Sequence, residues 1–133
     1  MDFLLDTNIC IYIIKKKPSQ VLQKFQSLPS ETVAVSSLTV AELKYGVYKS
    51  QFPERNQTAL SQFLSPLQII KFNEDAADYY GKIRADLEKR GQVIGAMDIL
   101  IAAHALSLDI ILVTNNSKEF SRIPHLKIEN WLE

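Results

Sequence analysis

Short apolar runs alternate with longer segments of helical period along this chain, and that alternation constrains the fold more than any other feature. Predicted strands cover residues 3–5, 32–36, 67–72 and 109–114, with a possible short fifth at 126–130. Predicted helices cover residues 8–16, 19–28, about 40–50, 54–64, 74–90 and 97–108. Strands that are apolar on both faces and alternate with helices indicate an α/β fold, in which helices flank a parallel central sheet of four to five strands.

Three residues mark helix ends within this pattern. Pro18 suits an early helical position in the second helix, where its missing N–H is not needed. Asn73 is a suitable cap for the long helix at 74–90, and Gly91 is the glycine expected just past its C-terminus. These signals make the helix boundaries testable against the structure.

Composition predicts a globular protein with one domain, residues 1–133. Hydrophobic residues make up 47% of the chain and charged residues 23%, as in ordinary folded domains. The 15 basic and 15 acidic residues cancel, which argues against non-specific coating of nucleic acid. The single cysteine, Cys10, excludes an internal disulfide and a cysteine-based zinc site. No apolar run is long enough for a membrane helix and no secretory signal is visible, so a cytoplasmic location is expected.

Three acidic residues follow the predicted strands or open the helices beyond them. Asp6 follows the first strand, Glu42 lies six residues after the second, and Asp98 opens the buried helix before the fourth. Ligands in open α/β sheets bind beyond the carboxyl ends of the strands, so chemistry is expected there. A further such place, after the fourth strand, holds Asn115, Asn116 and, three residues on, Glu119.

Each of the three acids also has a purely structural interpretation. Asp6 suits the N-cap of the first helix. The stretch from Thr39 to Glu42 matches a capping box, with the glutamate at the third helical position. Asp98 lies in the first turn of its helix, where the helix dipole favours negative charge. Taken one at a time, these interpretations are as good as a functional one.

Taken together, the three acids favour a metal site. In a parallel sheet they lie at one edge, and carboxylates gathered without a cation raise one another's pKa at a cost in stability. Mg²⁺ or Mn²⁺ removes that repulsion and prefers oxygen ligands of this kind. Such an ion activates water as a nucleophile and holds phosphate oxygens for in-line attack. The constellation therefore predicts metal-assisted hydrolysis of phosphodiester bonds.

The motifs around these acids resemble those of the PIN-domain ribonucleases, in particular the VapC toxins of bacterial toxin–antitoxin pairs. The matching stretches are LLDTNIC (4–10), SSLTVAELKYGVYKS (36–50), PERN (53–56), GAMDILIAAHA (95–105), LVTNNSKEF (112–120) and IENW (128–131). They run from the first strand to the last with order and spacing intact. The resemblance implies a PIN-like fold and an Mg²⁺-dependent endoribonuclease that inhibits translation until a cognate antitoxin neutralises it.

The resemblance also implies roles within the site. Asp6, Glu42 and Asp98 are the implied catalytic acids, which bind Mg²⁺ or Mn²⁺ and orient the attacking water. Thr7 and Asn8 are implied to hold the first loop, with the Asn8 side chain hydrogen-bonded to backbone. The residues implied to support the far side of the site are Thr114, Asn115, Asn116 and Glu119. Many PIN domains have an aspartate at the position of Asn116, so a tightly held second metal is in doubt here; Glu119 is the candidate substitute, and a first-turn helix role is its simpler alternative.

The resemblance implies an RNA substrate, namely transfer RNA cut within the anticodon stem–loop, and initiator tRNA is the best single guess. Candidate RNA contacts are Lys44, Lys82, Arg84 and Arg122. The lysine run at 15–17 is better explained as a solvated helix end, because cations favour a helix C-terminus. His104 lies in the buried helix and is better explained as a core or interface residue than as a ligand.

The apolar first helix indicates a covered surface beyond the sheet. Residues 9–14 leave no polar face, and Tyr45, Val47 and Tyr48 add apolar surface on the third helix. A homodimer interface or a groove for a partner helix explains both features. The resemblance implies both, as a toxin dimer and as a VapB-type antitoxin whose C-terminal segment blocks the acids. Burial of the first helix in its own sheet is an equal alternative.

Three other functions fit parts of the pattern. A haloacid-dehalogenase-like phosphatase needs a second aspartate two residues after Asp6, where this chain has Asn8. A receiver domain needs paired acids and a lysine after the last strand, and residues 110–116 offer none of these. The third is a PIN fold that serves only as a catalytically inactive interaction module. The presence of all three acids argues against that function.

Overall fold

A five-stranded parallel sheet forms the centre of the protein, in a computed structural model that describes residues 1–132. The strands lie across the sheet in the order β3-β2-β1-β4-β5, and each neighbouring pair is parallel. Their bounds are β1 Phe3–Leu5, β2 Val33–Ser36, β3 Gln68–Ile70, β4 Ile111–Val113 and β5 Ile128–Glu129. The predicted α/β fold with a parallel sheet is therefore confirmed, including the short fifth strand. Glu133, the last residue of the predicted domain, lies outside the described residues.

Seven α-helices connect and flank the strands within residues 1–132. Their bounds are α1 Thr7–Lys15, α2 Ser19–Gln26, α3 Ser37–Lys49, α4 Pro53–Leu64, α5 Glu74–Lys89, α6 Ala96–Leu108 and α7 Ser117–Phe120. The predicted ends of α5 are confirmed. Asn73 Oδ1 accepts a hydrogen bond from the Ala76 N–H at 3.1 Å, and Gly91 adopts a φ of 66° just beyond the helix.

The predicted start of α3 and the predicted helical position of Pro18 are wrong, whereas α2 begins at Ser19 as predicted. α3 begins at Ser37, three residues earlier than predicted, because the Ser36 hydroxyl caps it by accepting a hydrogen bond from the Leu38 N–H at 3.1 Å. The predicted capping box that ends at Glu42 therefore does not form, and the glutamate lies in the second turn. Pro18 is the extended residue before α2, with a ψ of 154°, and is not inside the helix.

The sheet is covered by helices on both faces, and neighbouring strand residues alternate between the two cores. Leu4 packs with α5 and α6 on one face. Leu5 and Val35 pack with α1, α3 and α4 on the other. Burial on both faces explains why each strand is apolar throughout. In the part of the chain that the structure describes, no helix has both the length and the apolar character needed to cross a membrane.

Candidate active site

The carboxyl edge of the sheet collects the predicted acids. β1 ends at Leu5 and leads directly into Asp6, β2 leads into α3 and β4 leads into Thr114. Parallel strands end at the same edge, so these connections lie side by side. α6 joins β4 through two residues, and its 13 residues span about 20 Å. Its first turn, which carries Asp98, therefore lies back at the carboxyl edge.

Asp6 is a buried carboxylate that caps α1 and is influenced by the charges of two other acids. Its side chain is only 7% exposed, and its Oδ1 caps α1 by accepting a hydrogen bond from the Ile9 N–H at 2.9 Å. Burial, with smaller contributions from the charges of Asp98 and Glu42, raises the pKa of Asp6 from 3.8 to about 6. Hydrogen bonds from Thr114 and Ile9 oppose that rise in pKa. The capping interpretation is therefore correct, and Asp6 is also electrostatically coupled to the other two acids.

Glu42 points toward the loop that follows β1. The Thr7 hydroxyl donates a hydrogen bond to Glu42 Oε1 at 2.5 Å, which links α1 to α3. Glu42 is half-buried and lies in the second turn of α3, away from the first-turn N–H groups. Its carboxylate therefore does not serve as a helix cap, and its oxygens are available to the site.

Asp98 and Glu119 form the other half of the acidic cluster. Burial raises the pKa of Asp98, followed by the charge of Glu119 and then that of Glu42. Both Asp98 and Glu119 are half-buried, and Glu119 comes from the short helix α7, which the sequence pattern did not predict. Four carboxylates thus influence one another at this edge. The fourth is Glu119, for which the sequence pattern allowed two interpretations, a metal ligand and a first-turn helix residue.

The loop after β4 is held by its own hydrogen bonds. Thr114 is fully buried, and its Oγ1 accepts a hydrogen bond from the Asn116 N–H at 3.0 Å. Asn115 Nδ2 donates to the Tyr12 hydroxyl at 2.9 Å, a contact with α1 that the sequence analysis missed. Asn116 precedes α7 and its side chain does not cap it. Thr114 is therefore the residue of this loop that contacts an acid directly.

Asn8 does not behave as the resemblance implied. It lies inside α1, its side chain is exposed, and within residues 1–132 it makes no side-chain hydrogen bond to backbone. The residue that caps the helix is Asp6, whose side chain accepts a hydrogen bond from the Ile9 N–H. Thr7, in contrast, does hold the first loop, through its bond to Glu42.

His104 is a core residue, as predicted, but only one of its ring nitrogens has a partner. Its Nδ1 lies 2.8 Å from Ser36 Oγ, and its Nε2 has no hydrogen-bond partner in the described residues. Burial lowers the pKa of His104, and the nearby Lys71 backbone opposes that shift. Sequence reasoning missed the partner, Ser36; the only signal for it was a polar residue at the end of an apolar strand.

The candidate RNA-binding cations differ in their surroundings. Lys82 is 3.0 Å from Asp78 and Arg84 is 3.2 Å from Glu88, so both are paired along their own helix. Arg122 Nη1 donates to the Val93 carbonyl at 3.5 Å. Lys44 is exposed on α3, two residues after Glu42, and forms no ion pair within residues 1–132. The exposed lysines at 15–17 follow the end of α1, as the helix-end interpretation predicts.

Comparison with protein families identifies the class of protein that this fold represents. The PIN-domain profile matches residues 3–126. The crystal structure of VapBC2 from Rickettsia felis, bound to a DNA fragment from its promoter, superposes with a TM-score of 0.92. The two chains are 48% identical, and the match covers 98% of this chain and 99% of that one. The chain therefore belongs to the PIN-domain family.

Individual relatives narrow this assignment to a particular group of PIN domains. Ribonuclease VapC2 of Rickettsia felis is 49% identical over 132 residues, which cover 98% of each chain. The tRNA(fMet)-specific endonuclease VapC of Shigella flexneri is 44% identical over 131 residues, again 98% of each chain. The chain is accordingly a ribonuclease of the VapC type, and the resemblance noted in the sequence is confirmed.

Proposed function

We propose that this protein is the toxin of a toxin–antitoxin pair, an Mg²⁺- or Mn²⁺-dependent endoribonuclease that cleaves tRNA and so inhibits translation. The proposal treats residues 1–133 as one PIN domain that acts in the cytoplasm. The observation that carries it is the mutual influence of Asp6, Glu42 and Asp98, which come from three separate elements. Acids that only capped their own helices would not need to meet.

The donor set suits a hard divalent cation. All of its members are carboxylate oxygens, which Mg²⁺ and Mn²⁺ prefer, and their mutual repulsion is relieved by positive charge. Within residues 1–132, no three of them are already gathered at the separation that a metal ion requires. PIN-domain nucleases are generally dependent on divalent metals. When bound, such an ion supplies a Lewis acid for the phosphate and a lowered pKa for the attacking water.

The protein's own contribution is to hold these oxygens in place. Asp6 is fixed by hydrogen bonds from the Ile9 N–H and from Thr114. Thr7 orients Glu42 from the opposite side. We assign these two carboxylates, together with Asp98, as the metal ligands, and Asp6 as the most rigid of the three. Rigid ligands matter because misplaced groups lose much of their effect on a reaction.

Glu119 is the proposed fourth acid of the site. The resemblance to PIN domains implies an aspartate where this chain has Asn116, and an asparagine there brings no negative charge. Glu119, three residues on, is the acid whose charge raises the pKa of Asp98 most. We propose that it supplies the charge that Asn116 lacks and contacts the outer part of the metal site.

The proposed substrate is transfer RNA, and initiator tRNA is the first one to test. The Shigella flexneri relative is named for tRNA(fMet), and the match extends over 98% of both chains. Lys44 is the strongest candidate phosphate contact, because it is exposed, forms no ion pair within residues 1–132 and lies two residues after Glu42 on α3. Lys82, Arg84 and Arg122 are weaker candidates, since each already has a partner.

The proposed protein partners are a VapB-type antitoxin and a second copy of this chain. The Rickettsia felis structure contains VapBC2, a toxin with its antitoxin. In the present structure a mainly apolar groove lies between α1, α3 and α4, and its lining includes Ile11, Ile14, Leu43, Val47 and Leu60 together with Glu42. A helix in that groove would cover the first helix and approach the acids. Tyr45 and Tyr48, which are 67% and 74% exposed, extend this apolar surface.

The substitution Asp98→Asn tests the proposal. Because burial and two neighbouring acids raise the pKa of Asp98, the neutral amide is expected to leave metal-free stability unchanged or slightly higher. Cleavage of tRNA with Mg²⁺ should disappear. The matched control is Asp75→Asn, an exposed first-turn acid of α5, which should lose about 0.3–1 kcal/mol of stability and keep full activity.

Opposite results would identify the alternatives. If Asp98→Asn loses about 0.5–2 kcal/mol and still cleaves RNA, Asp98 is only a helix-terminus residue. If the wild-type protein cuts no RNA with Mg²⁺ or Mn²⁺, the domain is an interaction module with an inactive site.

A further inference from the structure

One buried hydrogen bond joins the two helices that carry Glu42 and Asp98. His104 of α6 and Ser36, the residue that caps α3, are 1% and 0% exposed. His104 Nδ1 lies 2.8 Å from Ser36 Oγ. The same hydroxyl accepts a hydrogen bond from the Leu38 N–H at 3.1 Å. The group that begins α3 is therefore also the group that contacts α6.

Both ends of this bond lie six residues, or about 1.7 helical turns, from an acid. Asp98 precedes His104 by six residues on α6, and Glu42 follows Ser36 by six residues, which is about 9 Å along a helix in each case. Within residues 1–132, α6 makes no other side-chain hydrogen bond to a different helix or strand. A shift at this bond therefore changes the position of one acid relative to the other.

The surroundings of the ring fix it further. Phe72 stands edge-on to His104, with ring centroids 5.4 Å apart, and its N–H donates to Ser37 Oγ at 3.2 Å. Within residues 1–132 the Nε2 atom of His104 forms no hydrogen bond, although the Lys71 backbone lies near it. A buried polar atom without a partner lowers stability, so an apolar side chain would pack here at less cost. Packing alone does not explain a histidine at this place.

We propose that His104 is a positioning residue, which holds the start of α3 against α6 through Ser36 and thereby sets the separation of Glu42 and Asp98. It touches neither RNA nor metal. This inference rests on the proposed function, because the separation matters only if the two acids share a cation. Removal of an outer partner that orients a metal ligand commonly lowers metal affinity by about 10–100-fold.

A pair of substitutions distinguishes hydrogen bonding from packing. His104→Asn places an amide where Nδ1 was and leaves a cavity, whereas His104→Leu fills more of the space and removes the bond. We expect His104→Leu to lower the affinity for Mn²⁺ about tenfold. The affinity of His104→Asn should stay within about threefold of the wild-type value. Calorimetry with Mn²⁺ and no RNA measures this. If the two variants lose the same affinity for Mn²⁺, or if His104→Asn loses more, the ring serves only packing and the proposal is overturned.

A second measurement works on metal-free protein. Exchange of the Leu38 amide hydrogen should speed up in His104→Leu and stay near the wild-type rate in His104→Asn. Ser36→Ala should weaken Mn²⁺ binding as His104→Leu does. The control Asn73→Ala, which removes the cap of α5, should leave Mn²⁺ binding unchanged. Unchanged Leu38 exchange in the Leu variant refutes the positioning role. Wild-type protein that binds no Mn²⁺ refutes the proposed function instead, and the exchange result still decides whether His104 holds α3.

Discussion

The substitution Asp6→Asn separates the capping role of this side chain from its proposed role as a metal ligand. The amide keeps an oxygen that accepts a hydrogen bond from the Ile9 N–H, so α1 stays capped, but the charge is gone. Burial and the neighbouring acids raise the pKa of Asp6 from 3.8 to about 6. A difference of about two units corresponds to about 3 kcal/mol against the ionised form. The weaker hydrogen bonds of a neutral amide reduce the net gain, so we expect Asp6→Asn to be about 1–3 kcal/mol more stable at pH 7.5 without metal.

The pH dependence of this gain has a definite sign. Because the folded-state pKa of Asp6 lies above the unfolded value, the folded protein holds its proton more tightly. Wild-type stability is therefore highest below about pH 4, falls as the pH rises to about 6, and is level above that. The asparagine variant lacks this fall. The two proteins should be similar in stability at pH 4 and diverge between pH 4 and pH 6.

Urea unfolding followed by circular dichroism, in EDTA from pH 4 to 7.5, measures the difference. Asn73→Asp is the matched control, since it adds a charge at the exposed cap of α5 and should stabilise by about 0.3–1 kcal/mol. Adding Mn²⁺ at 100 times its dissociation constant should raise wild-type stability by about 2.7 kcal/mol and leave the variant unchanged. An Asp6→Asn protein that is less stable than wild type at pH 7.5 would refute the reasoning.

Two further predictions concern the residues beside the acids. Glu119→Gln should lower the pKa of Asp98, because the Glu119 charge now raises it. An NMR titration of the Asp98 carboxyl carbon measures this, and an unchanged titration means that Glu119 does not face the site. Thr7→Val removes the hydroxyl that donates to Glu42 and should reduce cleavage about tenfold with a stability loss of about 1 kcal/mol. The control Thr58→Val removes an exposed hydroxyl on α4 that donates to the Glu54 carbonyl, and it should leave cleavage unchanged.

The sequence was sufficient to predict the sheet and the edge where chemistry is expected. Short strands buried on both faces leave a simple periodic signal, and each predicted strand overlaps an observed one. The cap at Asn73 and the glycine at 91 were predictable because both depend on local backbone geometry alone. The acids could be predicted to lie at one edge because strand direction follows from the alternation with helices.

Local pattern failed where a tertiary contact competes with it. The stretch from Thr39 to Glu42 matches a capping box, but Ser36 at the end of β2 already caps α3. The serine is fixed there by its contact with His104, which is 68 residues away in the chain. The helix α7 escaped prediction because four residues are too few for a periodic signal. The helix is ordered instead by its buried Phe120, which packs in the core that α5 and α6 form on one face of the sheet.

Capping and the proposed metal binding are not alternatives for the Asp6 carboxylate. A helix cap needs only an oxygen acceptor, and neutral serine, threonine or asparagine supplies one. What the cap does not explain is a negative charge in a buried place, where the pKa remains near 6 even with hydrogen bonds from Ile9 and Thr114. The same holds for Asp98, whose charge is opposed by Glu119 as well as by burial. The proposed cation explains why the chain keeps charges that destabilise the metal-free fold. Its binding would be strongest where those charges destabilise that fold most.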